Sequence, residues 1–300
     1  PGGILRYGIP DFKLEKWILD RRIKLLEAEG IKYVTSVDAG KDYAAEKLFK
    51  DFDAVCVAIG CRTPRDLRIE GRDLEGIHMA MDYLSSSNRY VSGEASGPEK
   101  MMNASGKKVV VIGGGDTGSD CVGTAIRQGA SCVTQIELLP KPPGCRTETM
   151  AWPKHPMILR TSSSHEEGGC RMWSVLTKKF IGSGGRVRGI SCEQVEFGPA
   201  KDEKGCPIMK PVSGSGIEIE AEMVILAMGF THPEKSGLLE QLGVSITSRG
   251  TVSTGPDKMT SVKGVFAAGD SSRGASLVVW AAAEGREAAF GINKYLVNKK

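Results

Sequence analysis

No stretch of this 300-residue chain approaches the roughly 20 consecutive apolar residues that a membrane-crossing helix needs, so no transmembrane span is expected. The charge excess is small, +4 from 40 basic and 36 acidic residues, and it is scattered. Such a balance supplies neither the basic patch of a nucleic-acid binder nor a polybasic membrane anchor. Eight cysteines are present, Cys56, Cys61, Cys121, Cys132, Cys145, Cys170, Cys192 and Cys206, but no CxxC pair. That lack argues against a zinc ribbon, a ferredoxin cluster or a dithiol redox centre, and the thiols are expected to be reduced in a cytoplasmic protein. Near His165, Glu166, Glu167 and Arg171 there is no two-histidine ligand spacing, so a solvated or contacting loop is expected there rather than a metal site. An initiating methionine is also missing, and Pro1 opens directly into GGILRYGIPDFKLEK, which reads as the continuation of something longer.

What the chain does have is glycine in a telling place. In VVVIGGGDTGSDCVGTAIRQGA, residues 109–130, an apolar strand runs into Gly113, Gly115 and Gly118 at GxGxxG spacing and then into a helix. Gly113 permits the tight turn, Gly115 lets backbone approach a pyrophosphate, and Gly118 lets the helix sit close to the strand. Gly114, Asp116 and Thr117 complete the turn, whose amides face an anion. VTQIEL, residues 133–138, follows as a second strand and carries Glu137, 19 residues beyond Gly118. A carboxylate there accepts hydrogen bonds from ribose hydroxyls and repels a 2′-phosphate, which favours NADH over NADPH. The alternative is that Glu137 merely ends the strand and Lys141 or Arg146 contacts a phosphate.

The rest of the chain alternates helix and strand. Residues 14–30 read as an amphipathic helix ended by Gly30, and IKYVTSV as a strand. DFDAVCVAIGCRTPRDL, residues 51–67, reads as a buried strand stopped by Gly60 and a Thr63–Pro64 turn; AEMVILAMGFTHPEKSGLL, residues 221–239, echoes it with Gly229, Thr231 and Pro233. That echo is what two dinucleotide-binding domains in one chain produce. A third signal is GVFAAGDSSRGASLVVWAAAEGR, where Gly269 and Asp270 end a short strand and a helix of small residues starts near Ser276, Leu277 and Val278. The acid suits a sugar or ribityl hydroxyl, and the helix N-terminus suits the negative charge of a reduced flavin. GRVRGISCEQVEF and GSGIEIEAEMVIL read as an antiparallel layer.

In order along the chain, GGILRYGIPDFKLEK, GGGDTGSDCVGTAIRQGA, PKPPGCRTE, WPKHP, SSSHEEGGCRMWSVLTKKF and GVFAAGDSSRGASLVVWAAAEGR resemble the small (beta) subunit of glutamate synthase, a flavoprotein with two dinucleotide-binding domains. Leu138 and Leu139 stand where one branch of that group has paired arginines. The resemblance implies an α/β fold of two Rossmann-like domains: a discontinuous FAD domain, residues 1–104 and 230–300, and an NAD(P)H domain, 105–229, inserted into it. It implies an electron-input module that passes hydride from NADH or NADPH to FAD, Gly2 and Gly3 being counted with the flavin residues. Electrons then travel through iron–sulfur clusters to a large (alpha) subunit that makes glutamate. The cluster cysteines and the first glycine loop, which holds the FAD pyrophosphate, belong to an N-terminal portion this chain does not contain, so a gap beside exposed apolar strands is expected. A homo-oligomer stays open. Two other readings are a related flavin oxidoreductase, dihydropyrimidine-dehydrogenase-like or electron-bifurcating, and a non-catalytic nucleotide-binding fragment.

Overall fold

The computed structural model describes residues 1–95, 101–150, 152, 158–201 and 207–299; Cys206, residues 153–156 of the WPKHP turn and residues 96–100 of the polar connection lie outside them. The first 95 residues carry α1 (Gly3–Tyr7), α2 (Lys16–Ala28), α3 (Ala45–Asp51), β1 (Val55–Val57), β2 (Ile77–Met79) and α4 (Ala80–Val91). Next come β3 (Lys108–Ile112), α5 (Asp116–Arg127), β4 (Cys132–Ile136), α6 (Ser163–Glu166) and β5 (Cys170–Met172). Strands β6 (Val175–Ser183), β7 (Arg186–Lys201), β8 (Pro207–Pro211), β9 (Ile217–Glu220) and β10 (Met223–Leu226) follow. The chain closes with α7 (Leu238–Leu242), β11 (Val265–Ala267), α8 (Asp270–Arg273) and α9 (Val278–Lys299). Two compact units result, Pro1–Ile31 with Asp66–Met228, and Lys32–Arg65 with Gly229–Lys300.

The first unit is built on a five-stranded parallel sheet in the order β2-β10-β3-β4-β5. Both faces of β3 are covered, which is why its sequence is continuously apolar rather than alternating. Val109 and Val111 join Tyr83, Leu84, Cys121, Val122 and Ala125 in one core layer, under α4 and α5. Val110 and Ile112 point the other way and join Val175, Phe180, Val187 and Ile190. That second layer is an antiparallel sheet of β6, β7 and β8 with β9 also on β7, the expected hairpin layer except for its last segment: Met223–Leu226 runs instead as β10 in the parallel sheet, where β2 and β3 flank it and both its faces are buried. Its first hairpin turns on Gly184 and Gly185, both at positive φ, as a two-residue turn with the right twist requires. The opening segment packs here too. Asn88 of α4 donates to the carbonyls of Tyr7 and Ile9, and the Arg127 guanidinium lies 4.2 Å over the Phe12 ring. These units differ from the expected boundaries by joining residues 1–31 and 66–104 to the 105–228 segment.

The second unit holds a two-stranded parallel sheet, β1 with β11, in register Val57 against Ala267. Its core is Ala45, Val57, Leu239, Leu242, Val244, Val252, Val265 and Ala267. The two echoed turns pair with each other here. Thr63 N–H donates to the His232 carbonyl, Thr231 N–H to the Thr63 carbonyl, and Arg65 N–H to the Gly229 carbonyl.

Three local expectations are corrected. Residues 31–37 form no strand: they pair with no strand among the described residues, and Val34 stands 77% exposed. Strand β1 is buried on one side only: Val57 is in the core while Cys56 is exposed. The last helix begins at Val278 rather than near Ser276, and the residues it buries are Glu284, Ala288 and Gly291. Gly291 is required there, since a Cβ would come 2.0 Å from the Asp257 carbonyl oxygen.

Candidate functional site

At the carboxyl ends of the parallel strands the chain leaves β3 through Gly113, whose φ of +123° is open to glycine and whose absent Cβ would stand 2.2 Å from the Ala227 carbonyl oxygen. Gly114 gives room to the Glu137 side chain, whose Cδ would lie 1.6 Å from a Cβ at that position. Gly115 faces open space, with nothing within 4 Å of where a Cβ would be. Gly118 brings α5 against the turn, a Cβ there falling 2.2 Å from the Gly113 carbonyl oxygen and 2.7 Å from Gln135 Nε2. No side chain caps the N-terminus of α5 at Gly115, so the amides around Asp116 and Thr117 retain donors and the positive end of the helix dipole for an anion. A turn of bare backbone, open to space at Gly115, beside an uncapped 12-residue helix fits the pyrophosphate of a dinucleotide.

A hydrogen-bonded chain that sequence reading missed holds the turn from below. Buried Gln135 of β4 donates from Nε2 to the Gly113 carbonyl at 2.8 Å, and its Oε1 lies 2.8 Å from His165 Nε2. His165 Nδ1 accepts from the Ser162 N–H in a capping box that starts α6, which makes Nε2 the protonated nitrogen, and the Ser162 hydroxyl meets that of Ser119 on α5. Thus the SHEEG stretch is a short capped helix clamped to α5, and its histidine is a structural donor. Only the long-range pairing could have disclosed this, because Gln135 is an ordinary polar residue within a strand.

Burial first, then Arg171 and Lys13, lower the His165 pKa to about 4 from an ordinary 6.5. The unfolded chain therefore takes up this proton first on acidification, and the stability His165 contributes above pH 6.5 drains away as the pH falls toward 4. Asp120 acts in the opposite sense: burial, and nearby Asp116, raise it to about 6 from 3.8, so acidification through that window favours the fold. In the wild type the two offset. Melting temperature against pH should consequently fall more steeply below pH 6.5 in Asp120→Asn than in the wild type, and parallel profiles would count against this assignment.

Glu137 lies just past β4, immediately over Gly114. Burial raises its carboxyl above the ordinary glutamate range while Arg171 opposes the rise. Arg171 Nη2 is 3.8 Å from Glu137 Oε1, with both side chains largely buried. The Arg171 guanidinium and Lys141 Nζ sit over the Trp173 ring at 4.9 and 5.0 Å.

In the second unit the carboxyl ends of β1 and β11 carry Gly60 and Gly269, both at positive φ. Asp270 opens α8 and accepts from the Ser276 hydroxyl at 2.8 Å. Leu277, Val278, Val279 and Trp280, at and just before the start of α9, are exposed, an apolar surface beside the polar Asp270 turn. Cys61 is buried nearby; burial, and Asp270 in turn, push its thiol up, which makes it a poor nucleophile. Glu284 of α9 holds the turn, accepting from the Gly269 N–H at 2.9 Å. Gly229 belongs to this unit through its bond to Arg65, whereas Gly2 and Gly3 lie in the exposed start of the other unit.

The chain matches the pyridine nucleotide-disulphide oxidoreductase family over residues 17–155 and 190–285. It is 50% identical over 299 residues to the glutamate synthase [NADPH] small chain of Mycobacterium tuberculosis, covering 99% of this chain and 60% of that one. To the glutamate synthase [NADH] of Schizosaccharomyces pombe it is 43% identical, covering 96% of this chain and 14% of that one. The chain thus spans about 60% of the length of the bacterial small chains it matches. Among solved structures, FprA from Mycobacterium tuberculosis superposes with a TM-score of 0.74 at 19% identity, over 99% of this chain and 76% of that one, a likeness of fold. The chain belongs to the pyridine nucleotide-disulphide oxidoreductase family, in the branch that holds the glutamate synthase small chains.

Proposed function

We propose that this chain is part of the electron-input subunit of glutamate synthase, carrying hydride from NAD(P)H to FAD for the reductive formation of glutamate from glutamine and 2-oxoglutarate. The observation that carries this is the 50% identity, sustained over 99% of the chain, to a glutamate synthase small chain. When bound, NAD(P)H supplies the hydride and FAD accepts it and hands on electrons. The protein's own task is placement: Gly113–Gly118 and the start of α5 hold a pyrophosphate, and Glu137 bonds the adenosine ribose hydroxyls, which favours NADH. Asp270 takes a ribityl or ribose hydroxyl, and the positive end of the 22-residue α9, with its exposed Leu277–Trp280 surface, receives the flavin ring. FAD is thereby assigned to the unit of Lys32–Arg65 and Gly229–Lys300, and NAD(P)H to the other. The flavin's own glycine loop and the iron–sulfur clusters are assigned to polypeptide outside this chain, the glutamate-forming centre to a large subunit, and the whole to the cytoplasm.

The test uses the complete small subunit with its large subunit. Glutamate should form in step with NAD(P)H oxidation when glutamine and 2-oxoglutarate are supplied, and coenzyme oxidation that never yields glutamate would overturn the proposal. Glu137→Ala should narrow the preference for NADH over NADPH by about tenfold, the worth of a charge-assisted hydrogen bond. An unchanged ratio of kcat/KM values would remove Glu137 from the ribose site.

A further inference from the structure

Beside Glu137 lies a group of side chains that the ribose assignment leaves unused. Strand β5 pairs with β4 in register Ile136 against Met172, so Arg171 and Trp173 flank the strand end that delivers Glu137. Arg171 spends Nη1 on the Arg160 carbonyl at 3.1 Å and Nη2 on Glu137 at 3.8 Å. Its Nε and the Trp173 Nε1 are buried with no hydrogen-bond partner among the described residues. A buried donor without an acceptor costs about 1–3 kcal/mol, so two at one place leave room for acceptors that the described residues do not supply. Around the Trp173 face, Arg171 and Lys141 set two cations against the one carboxylate of Glu137. An acid standing alone would repel a phosphate, whereas this acid is already paired and the local balance is positive.

We propose that Arg171 is the coenzyme-specificity residue of this site: with Lys141, on the face of Trp173, it seats the 2′-phosphate of NADPH beside Glu137. The proposal rests on reading the Gly113–Gly118 turn as the NAD(P)H site. A phosphate monoester brings three acceptor oxygens to a cluster with unspent donors, and the guanidinium is the group whose planar donors suit it. Glu137 and Arg171 then act as a couple, the acid serving the ribose diol of NADH and the guanidinium serving the esterified ribose of NADPH.

Two nucleotide fragments separate the contributions: adenosine 2′,5′-bisphosphate carries the extra phosphate and 5′-ADP does not. Titrated calorimetrically into the complete protein, the 2′,5′-bisphosphate should bind with an affinity within about tenfold of that of 5′-ADP. Arg171→Met, which keeps an apolar stem against Trp173, should weaken the bisphosphate about tenfold or more while moving 5′-ADP by less than about twofold. Arg171→Lys should restore most of the lost affinity. Lys141→Gln, on an exposed side chain that leaves the core untouched, should weaken the bisphosphate selectively and so tests the site even if Arg171→Met fails to fold. Equal losses for both fragments, or no loss for the bisphosphate, overturn the proposal. Wild-type protein that binds 5′-ADP but rejects the bisphosphate also overturns it and leaves the dinucleotide site standing, while failure to bind either removes both.

Discussion

Gly118→Ala should raise the NAD(P)H dissociation constant about a hundredfold, because a methyl there has no place to go. Its Cβ would lie 2.2 Å from the Gly113 carbonyl oxygen and 2.7 Å from Gln135 Nε2, so α5 must retreat from the turn or the Gln135–Gly113 bond must break. Either response spreads the amides proposed to hold the pyrophosphate, and overpacking of this kind costs about 1–3 kcal/mol in its own right. Gly115→Ala gives the complementary result. Its φ is −77° and nothing lies within 4 Å of the added methyl, so the melting temperature should hold. Affinity should still fall by more than about tenfold, since only the ligand occupies that space. Fluorescence titration of NADH against both variants decides the matter. Wild-type affinity in Gly115→Ala would move the pyrophosphate elsewhere, and wild-type affinity in Gly118→Ala would show that helix and turn need not touch.

Glu284→Ala should destabilise the second unit by about 3–5 kcal/mol, the cost of removing one side of a buried ionic network. The carboxylate is 5% exposed and accepts from Lys258 Nζ at 3.1 Å, Arg273 Nε at 2.9 Å, the Ser272 hydroxyl at 3.2 Å and the Gly269 N–H at 2.9 Å. Removing it leaves the Lys258 ammonium buried with Glu287 as its remaining partner and frees the Gly269–Asp270 turn. Burial pushes the Glu284 carboxyl up, but Lys258, Arg273 and Ser272 outweigh it and hold the group below the ordinary 4.5. Its stabilisation is thus present above pH 4.5 and is lost as the pH falls below it. Glu284→Gln, which keeps an oxygen for the Gly269 amide, should cost visibly less than the alanine variant in urea unfolding. Equal costs for the two would show that the ion pairs contribute nothing beyond the amide contact.

The local parts of the site were legible in the sequence. GxGxxG after Val109–Ile112 specifies its own geometry, since positive φ at Gly113 and close approach at Gly118 follow from residues a few positions apart. What failed were segments whose state depends on a distant neighbour. IKYVTSV has strand composition, but a strand exists only where another edge accepts its bonds. Strand β1 looked buried because an apolar run does not say how many of its faces are covered. Glu284 stands in a row of alanines with no local pattern to mark it, for its partners Lys258 and Gly269 lie far from it in the chain.

The sequence by itself determined the strand–turn–helix around Gly113–Gly118, the acid at the end of the second strand and the family resemblance, since each rests on residues near one another along the chain. Only the tertiary structure decided which contacts support them. Gln135 under Gly113, His165 locked as a neutral donor, Arg171 against Glu137 and Glu284 under Gly269 all join residues that different strands and helices carry. Hydrogen bonds and ion pairs act over a few ångströms of space, whatever the separation along the chain. Their partners become definite only once the sheet has set the register of its strands.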